Sequence, residues 1–378
     1  MRLKFKEIDK FIPEEVREIA QTLKENGFQC YVVGGSIRDL ILGQVPQDFD
    51  LASDATPEDI ESLFRKTVPT GKKYGTMTII GKEIDIASRK QKLLGQKNIE
   101  VKHYQITTFR KEGIYSDKRR PDQISYSKSI DDDLKRRDFT INALAYDPLT
   151  CEVVDNFHGV EDLKIKIIKT VGSPEERLEE DVLRSFRACR LAAQLDFEIE
   201  NETFNVIKNM AFSMNLPAME RINNELNRII NSNHAYKGLE YLFESGLIYR
   251  VIPEFSEKSL NDVVDDPEYF KGLSSHVRLA SLLKHVENVR GVMERLRFKK
   301  EDIRWVEKLI RYNLDERKAS ITLKDLLVTG VDIMKLGIRG EEVGKVLNQL
   351  LEEVIEDPDK NKRRLLLRRA QDIIKTKV

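Results

Sequence analysis

The sequence of 378 residues is poor in the residues that build disulfide or metal frameworks. It holds three cysteines, five histidines and one tryptophan. The cysteines (Cys30, Cys151 and Cys189) are scattered and show neither zinc-ligand spacing nor a disulfide pattern, which fits a reducing compartment. The histidines show no metal-ligand spacing, and neither a Walker phosphate loop nor a dinucleotide fingerprint occurs. These absences exclude several common classes of metal and nucleotide site.

Long apolar runs and an excess of one charge are also missing. No run approaches the length of a membrane span, and the N-terminal stretch MRLKFKEIDKFIPEEV lacks the apolar core of a signal peptide. We therefore expect a cytoplasmic protein with no membrane segment, and nothing suggests an obligate protein partner. Lys plus Arg and Asp plus Glu both number 64. A net charge of zero neither favours nor excludes nucleic acid, because binding depends on how charge is distributed.

The chain divides into a mixed part and a helical part. In the first 150 residues, short apolar runs such as FQCYVVGG and DFDLAS predict strands, and Thr56-Pro57-Glu58-Asp59 predicts a helix start. From about residue 174, periodic leucines and isoleucines predict helices almost throughout. The fold class predicted is an α/β head, with a mixed sheet and helices, followed by an extended all-helical region.

Two acids, Asp48 and Asp50, lie one residue apart in the predicted strand DFDLAS. Alternate residues of a strand point to one face, so the two carboxylates would repel each other. Such a pair on an exposed edge is usually a solubility device, but here an aromatic residue and an apolar Leu-Ala step indicate a packed strand. Like charges this close are best tolerated when they share a cation, and all-oxygen ligands suit Mg²⁺.

A candidate phosphate site lies just upstream, at Gly34-Gly35-Ser36. This turn leads into a predicted helix, whose first backbone N–H groups favour an anion. Arg38 lies in the first turn of the same helix. A metal pair beside a phosphate site indicates nucleotidyl transfer by two metal ions.

The segment GGSIRDLILG followed by QDFDLAS resembles the head of the polymerase β superfamily. More narrowly, it resembles the class II tRNA nucleotidyltransferases, which are the CCA-adding enzymes, and the bacterial poly(A) polymerases. Further motifs follow in the family's order over nearly the whole chain. The resemblance implies a catalytic nucleotidyltransferase head over residues 1–150, and a helical neck over 151–232 that recognises the base. It also implies a helical body over 233–315 and a helical tail over 316–378 that binds tRNA.

The same resemblance implies roles for individual residues of the head. Asp48 and Asp50 would hold two Mg²⁺ ions, with CTP and ATP as substrates. Gly35 and Arg38 would seat the triphosphate together with Arg137 from DDDLKRRDFTINALAYD, residues 131–147. Asp138 and Asn142 of that motif would lie near the ribose hydroxyl. Residue types alone make Arg136, Arg137 and Asp138 equally consistent with an exposed salt-bridged turn.

Asp181, Arg184, Arg187 and Arg190 recur every three residues on what the pattern predicts to be one helix. An acid and an arginine one turn apart offer an acceptor and a planar donor fork, which together can hydrogen-bond the edge of a base. The same spacing also produces surface ion pairs. The resemblance implies that Asp181 and Arg184 form a protein template for the incoming base, and that Arg187 and Arg190 line the triphosphate side.

The chain departs from the family in the strand HYQITTFR, where Gln105 stands at the position of a usual glutamate. Asp85, in the earlier strand GKEIDIAS, is an alternative third carboxylate. Residues 111–127, KEGIYSDKRRPDQISYS, resemble the family's flexible loop beside the active site.

The resulting hypothesis is a template-independent enzyme that adds CMP, CMP and AMP to the 3′ end of tRNA, gripping its acceptor end and upper stem. Alternatives within the superfamily are an A-only or CC-only tRNA enzyme and a poly(A) polymerase. An alternative of another class is a catalytically silent RNA-binding helical protein, which only Gln105 favours.

Overall fold

The computed structural model describes residues 2–85, 99–112 and 124–376. The chain forms two compact units that divide between Val251 and Ile252. Strands are confined to the first unit, up to Ile199, and the described residues beyond it form helices and loops. The predicted α/β head followed by helices is therefore confirmed.

A mixed sheet of eight strands, in the order β1-β10-β9-β2-β3-β6-β5-β4, organises the first unit. β3 and β6 run parallel, and the other neighbouring pairs are antiparallel. β7 pairs with β8 and β11 with β12 in two separate ladders. The strands are β1 Arg2–Lys4, β2 Cys30–Val33, β3 Leu51–Ser53, β4 Thr67–Gly71, β5 Thr76–Asp85, β6 Ile99–Thr108, β7 Arg110–Glu112, β8 Ile124–Tyr126, β9 Leu144–Asp147, β10 Glu152–Asp155, β11 Ile167–Ile168 and β12 Glu198–Ile199.

Helices pack against the sheet and, together with loops, make up the rest of the described residues. Those of the first unit are α1 Lys6–Asp9, α2 Glu14–Glu25, α3 Gly35–Ile41, α4 Pro57–Leu63, α5 Ile130–Lys135, α6 Gly159–Ile165, α7 Pro174–Glu180, α8 Leu183–Leu195, α9 Asn201–Met210, α10 Met219–Ile230, α11 Ala235–Glu244 and α12 Leu247–Val251. Those of the second unit are α13 Glu257–Val264, α14 Pro267–Gly272, α15 Ser275–Leu283, α16 Val289–Arg295, α17 Lys300–Arg311, α18 Glu316–Ser320, α19 Gly330–Met334, α20 Glu341–Glu356 and α21 Arg363–Lys375.

Local sequence signals explain the elements around the site. All four residues of β2 are buried, as its apolar run predicts for a central strand. α4 begins with a capping box, in which the Thr56 hydroxyl accepts from the Asp59 N–H and the Asp59 carboxylate accepts from the Thr56 N–H. One core cluster beneath the sheet includes Tyr31, Val33 and Phe109. This packing fixes the ends of β2 and β3, where the candidate site lies.

The predicted strand DFDLAS is shorter than expected, because β3 begins only at Leu51. The Val33 N–H still donates to the Asp50 carbonyl at 2.9 Å. Beyond that bond the partner strand β2 turns at Gly34 into α3, so the backbone of Asp48 has no strand opposite it. The two acids therefore lie on the extended segment that leads into the strand.

In the second unit, α19, α20 and α21 share an apolar core that includes Ile333, Leu350 and Leu366. α21 buries Leu366, Ala370 and Ile373 and leaves most of its basic side chains at the surface. In the described ranges, no helix combines the length and apolar character that crossing a membrane requires.

Candidate active site

Asp48 and Asp50 lie between two cavities that share these two residues. The first, of about 630 Å³, is lined by the first turn of α3 and by five arginines, and we call it the arginine cavity. The second, of about 610 Å³, is lined by Phe49 and by side chains of β4, β5 and β6, and we call it the strand cavity. The arginines are Arg38, Arg137, Arg187, Arg190 and Arg228. The strand side chains are Val68, Thr70, Thr78, His103 and Gln105.

Both acids expose their side chains, and neither carboxylate is hydrogen-bonded or ion-paired to any described residue. Partial desolvation raises the pKa of Asp50 from its ordinary value; the Arg137 guanidinium opposes this rise and the Asp48 charge adds to it. Two adjacent carboxylates that form no ion pair repel each other, and a hard divalent ion would relieve that repulsion. Their donor set therefore fits Mg²⁺.

Gly34 precedes α3 and lies close to Arg137. Gly34 has φ 74° and ψ −136°, a conformation that only glycine adopts readily. A Cβ built there would lie 3.0 Å from Nη1 of Arg137. Ser36 then ties α3 to the acids, because its hydroxyl accepts from the Asp50 N–H at 3.4 Å. Gly35, at the start of α3, lines the same cavity.

Arg38 and Arg137 are held in place by neighbouring polar groups. Arg38 donates to the Asn142 side-chain oxygen at 2.9 Å and to Asp39 at 2.8 Å. Arg137 donates to Asp133 at 2.9 Å, and Arg136 donates to the same carboxylate. Asp133 is fully buried, and although burial alone would raise its pKa, the two guanidiniums lower it. A buried ion cluster of this kind fixes the direction of both arginines.

Asp138 links the head to α8. The Arg187 guanidinium donates to one of its oxygens at 2.6 Å, and the other accepts from the Phe139 N–H at 2.8 Å and from Asn142 at 3.3 Å. Burial opposes ionisation, but the charge of Arg187 lowers the pKa of Asp138 to about 2. Asp138 is thus ionised and occupied by its partners, rather than lying in an exposed salt-bridged turn.

At the far side of the arginine cavity, Arg190 lies 2.9 Å from Glu225 of α10. Desolvation lowers the pKa of Arg190, and Glu225 opposes that change. Arg228, one turn beyond Glu225, is exposed and lines the same cavity. Arg228 was not among the sequence candidates, and neither was Asp133. The spacing of Asp133 to Arg136 and Arg137, three and four residues, is a signal that would have found it.

The spacing predicted one helix for Asp181 and the three arginines, and this prediction is wrong for Asp181. Asp181 stands between α7 and α8, with φ −146° and ψ 103°, and its carboxylate accepts from the Leu183 N–H at 3.1 Å. That local bond is why the chain breaks here: a short acidic side chain competes for the backbone N–H groups that start α8. Arg184, Arg187 and Arg190 do share α8.

Asp181 and Arg184 are joined through the backbone, because the Arg184 N–H donates to the Asp181 carbonyl at 2.9 Å, but their side chains engage other groups. Asp181 accepts from Arg221 of α10 at 3.0 Å, and Arg184 donates to Glu180 and, at 2.7 Å, to the Arg177 carbonyl. Both side chains are buried, which excludes the surface ion pair as well. Neither residue is among those that line the arginine cavity.

Gln105 lines the strand cavity beside the two acids. The side chain of Asp85 lies outside the described residues, as do positions 113–123 of the predicted loop. In the part of the chain that the structure describes, no three His, Cys, Asp or Glu side chains come together closely enough to hold a metal.

Two family models match parts of this chain. Residues 30–169 match the poly A polymerase head domain, and residues 196–258 match a probable RNA and SrmB-binding site of polymerase A. The CCA-adding enzyme of Ligilactobacillus salivarius is 31% identical, over 97% of this chain and 99% of that protein. The CCA-adding enzyme of Lactococcus lactis strain IL1403 is 32% identical, over 93% and 96% of the two chains.

The fold is likewise that of solved structures. The crystal structure of the Bacillus stearothermophilus CCA-adding enzyme in complex with CTP matches with a TM-score of 0.62 and 24% identity, over 99% of each chain. The Thermotoga maritima CCA-adding enzyme complexed with tRNA matches with a TM-score of 0.65 and 19% identity, again over 99% of each. With relatives above 30% identity over nearly its full length, this chain belongs to the CCA-adding enzyme family of nucleotidyltransferases.

Proposed function

We propose that this protein adds CMP, CMP and AMP to the 3′ end of tRNA, using CTP and ATP, and that it binds the acceptor end and upper stem. The observation that carries the proposal is the arrangement of two unpartnered carboxylates at the edge of a cavity with five arginines. A nucleoside triphosphate needs both: cations along its phosphates, and metal ligands beside the phosphorus that reacts.

Asp48 and Asp50 would bind two Mg²⁺ ions. Ions bound there would activate the attacking hydroxyl and neutralise charge on the leaving pyrophosphate. Two carboxylates complete only part of an octahedral shell, which suits Mg²⁺ because that ion usually keeps water and takes oxygens from substrate phosphates. The role of the protein is then to hold the two carboxylates fixed, which the bond between Val33 and Asp50 supports.

Gly35, Arg38 and Arg137 would seat the triphosphate. Both arginines are held by Asn142 and Asp133 before any ligand binds, so little conformational entropy is lost when phosphate oxygens arrive. Each charge-assisted bond of this kind contributes about 1.5–3 kcal/mol. Arg187 and Arg190 would line the triphosphate side of the same cavity.

Asp138 and Asn142 would lie beside the ribose of the incoming nucleotide. Asp138 is ionised and accepts only, so it can accept a hydrogen bond from a ribose hydroxyl. Arg187 holds it at 2.6 Å, and this bond links the ribose site to α8.

Asp181 and Arg184 would read the base. Each is engaged by another partner, Arg221 and Glu180 respectively. Base recognition therefore requires both to exchange these partners for the base, and the exchange would accompany nucleotide binding. A pyrimidine or purine that cannot satisfy the two exchanged groups would leave them buried and unpaired, which is costly.

The division of labour is part of the same proposal: a catalytic head over 1–150, a neck over 151–232, a body over 233–315 and a tRNA-binding tail over 316–378. We also propose a cytoplasmic location. All three cysteines are free thiols, as expected in a reducing compartment.

Product analysis tests the proposal. The protein is incubated with Mg²⁺ and with tRNAs that end at the discriminator base, at C or at CC, and each nucleotide is supplied alone or together. Addition of C, C and A in turn, ending after A, is the expected result. A-only addition, CC-only addition or a long A tract would assign one of the alternative activities, and no addition at all would favour a silent RNA-binding protein.

A further inference from the structure

The strand cavity has no ligand in the function proposed above, because the residues that would seat the triphosphate line the arginine cavity. The strands of the strand cavity, β4, β5 and β6, lie on one side of β3 in the sheet order, and β2, which leads into the α3 turn of the arginine cavity, lies on the other. Asp48 and Asp50, which lead into β3, are the residues that both cavities share. Among the described residues the lining of the strand cavity includes no lysine or arginine. A ligand that fits it would therefore be less highly charged than a triphosphate.

Two polar side chains from β6 project into this cavity. His103 and Gln105 are two residues apart on the strand and share a face, while Tyr104 and Ile106 between and beyond them are buried on the other. Both are exposed, and neither has a hydrogen-bond partner among the described residues. The parallel register, in which Leu51 pairs with Ile106, brings Gln105 alongside Asp50.

Nucleotidyl transfer requires the attacking and leaving oxygens to lie roughly in line through the phosphorus. If the arginine cavity holds the triphosphate, the pyrophosphate leaves on that side of the two acids. The attacking hydroxyl must then arrive from the opposite side, which is where the strand cavity opens. This step rests on the function proposed above.

We propose that the strand cavity receives the 3′-terminal ribose of the acceptor tRNA, and that His103 takes the proton of its attacking hydroxyl. The Gln105 amide is not a base, but its oxygen can accept a hydrogen bond, so it would orient the same hydroxyl. A carboxylate at position 105 could accept the same proton, whereas the Gln105 amide cannot.

The atoms balance without a further reactant. The O–H bond of the acceptor breaks, its proton passes to the unprotonated ring nitrogen of His103, and the oxygen forms a bond to the α-phosphorus. The bond between that phosphorus and the oxygen bridging to the β-phosphate breaks, and its electron pair leaves with pyrophosphate. The imidazolium then releases its proton to water.

Single-turnover addition of CMP to tRNA ending at the discriminator base tests the proposal, with enzyme and CTP saturating. In His103→Ala the rate constant is expected to fall by about 10²–10⁴-fold, the usual contribution of a general base. The affinity for CTP should stay within about twofold of the parent, because the triphosphate lies in the other cavity. Added imidazole, and separately the second change Gln105→Glu, should restore a large part of the lost rate.

His285→Ala is the matched control, because it removes a histidine from the second unit and should leave the rate unchanged. A parental rate constant in His103→Ala would overturn the proposal. So would a loss that neither imidazole nor Gln105→Glu repairs, because it would indicate a structural role. If the parent adds no nucleotide to tRNA, or if Asp48→Ala retains activity, the proposed function itself fails; a normal His103→Ala beside an inactive Asp48→Ala removes only this inference.

Discussion

Replacing Gly34 with alanine perturbs the arginine cavity where backbone and guanidinium meet. The residue has φ 74° and ψ −136°, so alanine pays conformational strain of about 1–3 kcal/mol in the folded state. The new Cβ would also lie 3.0 Å from Nη1 of Arg137. Arg137 is paired with the fully buried Asp133, so its guanidinium can shift only by straining that ion pair. We expect such a strained shift, which moves the guanidinium away from the triphosphate position.

The expected cost in function follows from the lost contact. A charge-assisted hydrogen bond contributes about 1.5–3 kcal/mol, so Gly34→Ala should reduce kcat/KM for CTP and ATP by roughly 10- to 150-fold. Urea unfolding should show a loss of stability of about 1–3 kcal/mol. Both are measured on the same preparation, with initial rates of addition and equilibrium unfolding curves.

Gly43→Ala provides the matched control. Gly43 also has a positive φ, 75°, but no atom lies within 4 Å of its built Cβ. This variant should lose stability without losing nucleotide affinity. If Gly34→Ala bound and used CTP as well as Gly43→Ala does, Arg137 would not contact the triphosphate and the reasoning would be wrong.

Three further changes test other parts of the site. Asp48→Ala should abolish nucleotide addition and leave tRNA binding close to the parent in a filter-binding assay; retained activity would end the metal assignment. Arg184→Ala should increase misincorporation of U and G more than it slows addition, and unchanged fidelity with intact activity would refute the template role. Asp138 has a folded pKa of about 2, below its ordinary value, so its stabilising effect is complete above about pH 4 and is lost as pH falls toward 2. From about pH 4 to pH 2, the free energy of unfolding of Asp138→Asn should therefore fall by about 2 kcal/mol less than that of the parent, as measured by urea unfolding curves. An identical pH dependence in the two proteins would contradict the pairing with Arg187.

Local signals in the sequence were sufficient to predict the strand and the helix start that surround the site. The apolar run of β2 and the capping box of α4 depend on neighbouring residues alone, so pattern and chemistry agree with the structure. Asp48 and Asp50 lie beside a cavity of basic residues, as expected from two close acids that follow a glycine turn and Arg38 in a segment resembling a nucleotidyltransferase head.

Choices among several partners could not be predicted. Arg184, Arg187 and Arg190 all follow Asp181 closely along the chain. The Asp181 side chain nevertheless accepts its hydrogen bond from Arg221, forty residues away. Arg184 prefers Glu180, one turn earlier. Such choices depend on how α8 and α10 pack, which the periodicity of either helix does not specify. The predicted start of β3 was wrong for a similar reason. The strand begins only at Leu51, because its partner β2 turns at Gly34 into α3 and leaves the preceding residues without a strand to pair with.

The central claim is that Asp48 and Asp50 hold metal ions against a triphosphate seated among the arginines. A crystal structure of the protein with CTP and Mg²⁺ addresses it most directly. We expect metal density bridging the two carboxylates and the phosphate oxygens, with the triphosphate along Arg38 and Arg137. A triphosphate bound elsewhere, with both carboxylates still facing solvent and free of metal, would contradict it.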